Sequence, residues 1–442
     1  MKLLLVSNGY PPRGGFGTEF YTRELARGLA ARGHAVSVLH PERGGGRPRY
    51  ALERVEEDGL PVHLLHNPGD AQKRFAASYR DAEVERVFDE LLARERPDLV
   101  HFTYLLWGLS LRLPEVARAR GIPAVATLTD HGLLCHRGQM FDATLARCGG
   151  PHPPERCARC VRTPSPAEHG PLARLARRAA AEALALGGGL GRVPVARDLA
   201  VREQEVRRAL GVLARLIAPT RALLEVFARA GVPRAKLVPL VYAFDASAYR
   251  PLVPAAGKLR LGFLGQLAPH KGLACLVSAA HELARLAPAA DWELVLYGRP
   301  GGRPRRYAER VLARADPRRV RLATPFAPDE AARVLGELAA LVVPSEWDEN
   351  APLSVLQARA LGLPVIASDV PGIAEVLRVP AQGRLVPVGD APALARAMLE
   401  VVAGRLRGPL EPGLALGLDA HLARLEELYA EACAPARAAS RG

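Results

Sequence analysis

The amino-acid sequence predicts an α/β protein made of two doubly wound parallel-sheet domains that face each other across a cleft. Short runs rich in leucine and valine alternate with segments of helical period along most of the chain. That alternation is the mark of a parallel sheet flanked by helices. The rhythm breaks at 244–258, in the Pro- and Ala-containing stretch FDASAYRPLVPAAGK, and then restarts. With 442 residues, 49% of them apolar, the chain is long enough for two cores.

The elements follow in order. KLLLVSNG reads as a buried first strand, followed by the glycine loop PPRGGFGTE, the helix FYTRELARGLAARG and the strand HAVSVLH. The runs DLVHFTY, IPAVATLTD, LARLIAPT and KLVPLVY continue this first domain, placed at 1–245. The second domain, at 250–415, opens with the strand LRLGFLG and the helix GLACLVSAAHELARLA. It continues through WELVLYG, RRYAERVLARA, RVRLATP, PDEAARVLGELA and ALVVPS. After Ala351 come a helix, the strand PVIASDV and a helix ending near Leu377. Ligands of such sheets sit beyond the carboxyl ends of the strands.

An insert at 131–210 departs from the rhythm. Its first part holds four of the six cysteines, Cys135, Cys148, Cys157 and Cys160. The C-x2-C end of that series is the short-loop pair of tetrahedral zinc sites. A structural zinc with all-cysteine ligation is the expectation, with His136 and His152 as substitute ligands and disulfides or unlinked thiols as the alternatives. The Arg/Ala/Leu-rich second part is expected to pack as ordinary helix; the alternative is an amphipathic helix resting on lipid.

The formal charge of +14 is almost all arginine, since there are only five lysines. The arginines are spread over the helices, so no element reads as a nucleic-acid-binding one. A solvated basic surface is the plain reading, and an anionic lipid surface or lipid-phosphate acceptor is the other. No apolar run approaches the roughly 20 residues of a membrane-spanning helix, and MKLLLVSNGYPP lacks the apolar core of a signal peptide. A cytoplasmic protein is expected, meeting any membrane from the side at its inner face.

Three loops carry candidate chemistry. In NGYPPRGGFGTE, Gly14, Gly15 and Gly17 lie between a strand and a helix, where backbone N–H groups can cradle a phosphate. In GFLGQLAPHKG, Gln266 ends a strand and Lys271 follows five residues later, placing a scarce lysine at the cleft mouth. In PSEWDENAPLSVLQA, Asn350 and Ala351 lead into a helix whose N–H groups at Leu353 and Ser354 favour an anion. Glu349 and Gln357, eight residues apart, can face one ligand from one side. Helix capping by Asp348, Glu349 and Asn350 is the competing explanation.

Taken together, these stretches resemble the family 4 retaining glycosyltransferases of the GT-B fold, which has two Rossmann-like domains. The resemblance covers nearly the whole chain, through the P-P-x-G-G loop at 11–19, GHAV at 33–36, TLTDHGLLCHRGQMF and APTRALLEVFARAGVP. The most specific match is PSEWDENAPLSVLQARALGLPVIASDVPGIAEVL. The resemblance implies transfer of a hexose from a UDP- or GDP-activated donor, with retention, to a glycan or lipid-linked hydroxyl in cell-surface polysaccharide or glycolipid synthesis. It implies no catalytic metal. The first domain would bind acceptor, the second the nucleotide-sugar, and the helix at 418–436 would cross back onto the first domain.

Glu349 matches the first glutamate of the E-x7-E motif, on the donor sugar, and Gln357 stands where a second glutamate usually holds the ribose. Lys271 matches the diphosphate lysine, and Gln266 stands where that lysine's arginine partner is usual. Asp130 matches an aspartate near the reacting centre, with Thr129 where a histidine is common. Losing a charge-assisted hydrogen bond at 266 would cost about 1.5–3 kcal/mol, and Arg13 is a candidate to replace it. The two departures make a silent nucleotide-sugar-binding protein the main rival reading. A nucleic-acid-binding protein with a zinc module is a distant third.

Overall fold

The computed structural model describes the chain except at residues 15–16, 45, 68–74, 168–169, 187–192, 251–257, 299–304, 325, 378, 411–416 and 440–442. The expected phosphate-loop residue Gly15 lies outside the described residues.

Among the described residues the first domain holds an eight-stranded sheet: β1 (Lys2–Val6), β2 (Ala35–Glu42), β3 (Leu52–Glu57), β4 (Leu60–His66), β5 (Leu99–Phe102), β6 (Ala124–Thr127), β7 (Arg215–Ala218) and β8 (Leu237–Pro239). Its order is β3-β4-β2-β1-β5-β6-β7-β8, parallel except that β3 runs against β4. That hairpin is absent from the sequence reading. It turns at Asp58 and Gly59, with φ of 53° and 73°, the left-handed pair that an Asp-Gly turn requires. The helices are α1 (Gly17–Ala31), α2 (Ala82–Glu95), α3 (Leu113–Ala119), α4 (Pro154–Arg162), α5 (Pro171–Leu186), α6 (Ala196–Val212) and α7 (Arg221–Arg229).

Among the described residues the second domain has six strands: β9 (Leu259–Leu264), β10 (Trp292–Tyr297), β11 (Val320–Ala323), β12 (Ala340–Val343), β13 (Val365–Ser368) and β14 (Gly383–Val386). They are all parallel, in the order β11-β10-β9-β12-β13-β14. Helices α8 (Leu273–Leu286), α9 (Arg305–Leu312), α10 (Ala331–Gly336), α11 (Leu353–Ala360), α12 (Pro371–Ala374) and α13 (Ala391–Val402) accompany them. The strands read as continuous apolar runs because both faces are covered; Leu294, Val295 and Leu296 of β10 are fully buried. The strand order reverses between β9 and β12, and in a sheet of this kind the crevice for a ligand opens there.

The last helix, α14 (Leu418–Ala439), packs on the first domain. Tyr21 of α1 hydrogen-bonds His421 at 3.0 Å, and Arg32 donates to Glu426 at 2.8 Å. The fully buried His101 on β5 sits between two hydroxyls, Tyr429 at 2.7 Å and Thr127 at 2.8 Å. One imidazole nitrogen donating and the other accepting satisfies both.

The insert behaves differently from the expectation of ordinary packing. Helix α6 buries Leu199, Val206, Ala209 and Leu210, whereas α5 buries no residue at all. On α5, Leu172 is 84% exposed and Leu186 is 91% exposed. The half-buried side chains of α5 are Arg174, Ala181, Glu182 and Ala185, which share the opposite face at helical spacing. The helix is tethered by Arg162, which donates to Glu182 at 2.9 Å. Among the described residues no helix is long and apolar enough to cross a membrane.

Burial drives several imidazoles down: His101 to about 3, His136 to about 3, His270 to about 3 and His421 to about 4. Each lies below the value of an unfolded histidine, so the unfolded chain takes up protons first as the pH falls. The urea midpoint should therefore be highest above about pH 6.5 and decline steadily toward about pH 4. A midpoint unchanged between pH 7 and pH 5 would contradict this placement of the histidines.

Candidate functional site

The site forms where β9 and β12 end, at the reversal point of the second sheet. Past β9 the chain turns through His270, Lys271 and Gly272, and past β12 it runs through Ser345 to Asn350. The Glu346 N–H donates to the His270 carbonyl at 2.8 Å, tying the loops together. Gly272 has φ of 73°, and a Cβ there would lie 1.8 Å from the Pro344 carbonyl oxygen. Only glycine allows so close an approach.

That approach brings Lys271 Nζ to 2.7 Å from Glu349 Oε1. Ser345 Oγ donates to the same carboxylate oxygen at 2.5 Å, and Lys271 Nζ also lies 4.9 Å from the centroid of the Trp347 ring. Burial pushes the Glu349 carboxyl up, but Lys271 and Ser345 more than offset it, holding the group below the usual glutamate range. Glu349 is therefore a buried, ionised acceptor. The bonds from Lys271 and Ser345 both use Oε1, so Oε2 keeps lone pairs that a hydroxyl can use. Gly372 supports it from behind, where a Cβ would lie 1.6 Å from the Glu349 carbonyl oxygen.

Pro352 occupies the N-cap with ψ of 125°, and α11 begins at Leu353. Ala351 has φ of 53°, uncommon for a residue with a Cβ. The first N–H groups of α11, at Leu353 and Ser354, have no partner one turn earlier within the helix. Gln266 is exposed at the rim. Gln357 is buried, and its Nε2 donates to Tyr249 OH at 2.8 Å. Tyr249 belongs to the stretch between the domains, so this amide fastens that stretch to α11.

First-domain groups close over the loop. His131 Nε2 donates to the Asp348 carbonyl at 3.1 Å, and Asn350 Nδ2 donates to the Thr129 carbonyl at 3.3 Å. Arg147 pairs with the Asp348 carboxylate. The His131 and Trp347 rings meet edge to face at 6.0 Å, and His270 and Trp347 at 5.3 Å. Asp130 accepts from the Gly132 N–H at 2.7 Å and from Tyr104 OH at 3.2 Å. Burial nevertheless raises its carboxyl to about 6. His131, Tyr104, His270 and Trp347 escaped the sequence reading, although Trp347, one of three tryptophans, stood inside the most specific motif.

The glycine loop is arranged otherwise than expected. A Cβ on Gly14 would lie 2.7 Å from the Glu19 side chain, and one on Gly9 2.8 Å from it. These glycines make room for a buried carboxylate, which also accepts from Asn8 Nδ2 at 3.1 Å. A carboxylate there opposes an anion, so phosphate cradling at Gly14 is not what the geometry favours. Gly17 does face the cleft, its Cβ position lying 3.6 Å from Leu353 across it. Arg13 pairs with Glu57 and, at 3.6 Å, with Glu42, so it is engaged away from Gln266.

Cys135, Cys148, Cys157 and Cys160 border one cavity of ≈ 100 Å³, and none is joined in a disulfide. Among the described residues no three His, Cys, Asp or Glu side chains are placed to hold a metal ion. The Cys157 thiol is directed at the His152 carbonyl at 3.4 Å, and burial pushes the Cys148, Cys157 and Cys160 thiols up.

Two family models match the chain. Residues 258–403 match the one described as glycosyl transferases group 1, and residues 16–187 match the glycosyl transferase 4-like domain. Among curated proteins, D-inositol 3-phosphate glycosyltransferase of Nocardia farcinica is 30% identical over 221 residues, covering 47% of this chain and 48% of that one. The chain thus spans about half the length of that relative. Sucrose-phosphate synthase from Thermosynechococcus elongatus superposes with a TM-score of 0.63 at 18% identity, over 100% of this chain and 99% of that one. Anabaena Alr3699/HepE in complex with UDP and glucose gives 0.61 at 15% identity, over 97% and 99%. At such identities the likeness is one of fold.

Proposed function

The chain belongs to the GT4-type glycosyltransferases of the GT-B fold, and on that premise we propose that it transfers a hexose from a UDP- or GDP-activated donor to an acceptor hydroxyl with retention. The observation that carries this reading is the Lys271–Glu349 pair, its carboxylate buried, at the reversal point of the second sheet. Lys271 and the N-terminus of α11 supply positive potential for a diphosphate, and Glu349 Oε2 accepts from a donor hydroxyl. HepE, of the same fold, was solved with UDP and glucose, which supports a uridine donor. Asp130 and His131 stand on the acceptor side, and a glycan or lipid-linked acceptor in cell-surface polysaccharide or glycolipid synthesis completes the proposal.

The rival reading, a weak or silent nucleotide-sugar-binding protein, draws on Gln266 at the rim and Gln357 bound to Tyr249. A donor panel followed by mass spectrometry separates the two. Turnover of a UDP- or GDP-hexose is expected, falling by about 100-fold or more in Glu349→Ala, the scale of losing one transition-state contact. Nucleotide release that is absent with every donor, or unchanged in Glu349→Ala, would favour the rival.

Peripheral contact with an anionic membrane forms part of the same proposal, with a cytoplasmic location at the inner face. The outward Leu172, Leu175 and Leu186 of α5 and the arginines beside them fit an interfacial helix. Co-sedimentation with phosphatidylglycerol vesicles is expected, with little on phosphatidylcholine. Changing the three leucines to serine should weaken it roughly tenfold. Equal sedimentation of the variant would refute the contact.

A further inference from the structure

We propose that the first domain binds an amphipathic anion, an unbranched apolar chain bearing one carboxylate or phosphate, in a cavity between the cysteine-bearing insert and α6. The cavity measures ≈ 400 Å³, within the range of small-molecule sites. It lies apart from the Lys271–Glu349 loops, and the inference does not rest on the donor chemistry.

The lining supplies both halves of such a ligand's chemistry. Leu133, Leu134, Leu199, Val206, Leu210 and Val232 form apolar walls. Arg202 and Lys236 also line the cavity, and among the described residues neither has a carboxylate within ion-pair distance. Arg202 is 5% exposed. It donates to the Leu133 carbonyl at 3.1 Å and to the Gly132 carbonyl, while its Nε is buried without a partner. Lys236 Nζ donates to the carbonyls of Gly211 at 2.5 Å and Leu213 at 3.0 Å, at the end of α6. The lining carboxylate, Glu203, is already paired with Arg207 at 2.5 Å.

A buried guanidinium whose hydrogen bonds go to carbonyls, with the Asp130 carboxylate acting on it only from beyond ion-pair distance, keeps much of its desolvation cost. An anionic head group in the cavity offsets that cost, and a hydrocarbon tail fills the leucine-lined remainder. A neutral or cationic amphiphile gains only the second term. The carbonyls that hold Arg202 belong to Gly132 and Leu133, directly after Asp130 and His131. Occupancy therefore bears on the segment that faces the donor loop.

Isothermal titration of the full chain tests this with decanoate and decyl phosphate, which share a tail and differ in head group. Inorganic phosphate serves as the head without a tail, and decyltrimethylammonium as the tail with a cation. At least one of the two anionic amphiphiles should bind, at least tenfold more tightly than either control. Two variants report on the location. Arg202→Met removes the cation. Gly211→Phe adds a ring at a lining position where a Cβ meets no atom within 4 Å, so the fold accommodates the bulk placed at the cavity wall. Each variant should weaken binding at least tenfold. The proposal is overturned if neither anion binds, if a control binds as tightly, or if Gly211→Phe leaves the affinity unchanged.

Discussion

The contact between Lys271 and Glu349 constrains the rest of the site. Two loops from opposite sides of a strand-order reversal must meet within 2.7 Å, and the surrounding backbone is shaped to allow it. Gly272 and Gly372 stand where any Cβ would collide with backbone oxygen, and the bond from Glu346 to His270 fixes the spacing. Burying an ion pair costs desolvation that the Coulomb attraction only partly offsets. Here Ser345 adds a second bond to the carboxylate, and Lys271 keeps 21% of its side chain exposed. The arrangement suits a pair kept for what it organises, a cation and an anion held in fixed relation at the mouth of a cleft.

The first domain depends on the same loop. Asp348 and Asn350, either side of Glu349, are gripped by His131, Arg147 and the Thr129 carbonyl. Farther along the cleft, Glu375 of the second domain accepts from the Arg221 and Ala222 N–H groups at 2.7 and 3.2 Å, capping α7 across the gap. Together with α14 laid over α1 and β5, these contacts couple the position of the acceptor-side segment to that of the donor loop.

Much of this was legible in the sequence because its signals are local. Strand and helix periodicity, the strand-end loops of Lys271 and Glu349, and the helix entrance after Asn350 each lie within a few residues. The Asp-Gly turn of the β3–β4 hairpin is an equally local signal. Other features were out of reach. The partner of Gln357 lies 108 residues away, so its bond to the linker tyrosine has no local signal. Gly14 reads as a phosphate loop until Glu19 folds back beneath it. The leucines of α5 have the spacing of a packed helix, and only the tertiary structure reveals that they face outward. The cysteine spacing announces a cluster without fixing how close its thiols come.

A double-mutant cycle on kcat/KM for the donor, using Lys271→Met, Glu349→Gln and their combination, measures whether the two side chains act together. If the two side chains work as one unit, each single change should lose most of the activity and the double should be little worse than the poorer single, a coupling of about 2 kcal/mol or more. Losses that simply multiply would contradict the account, showing two groups that act independently despite their contact.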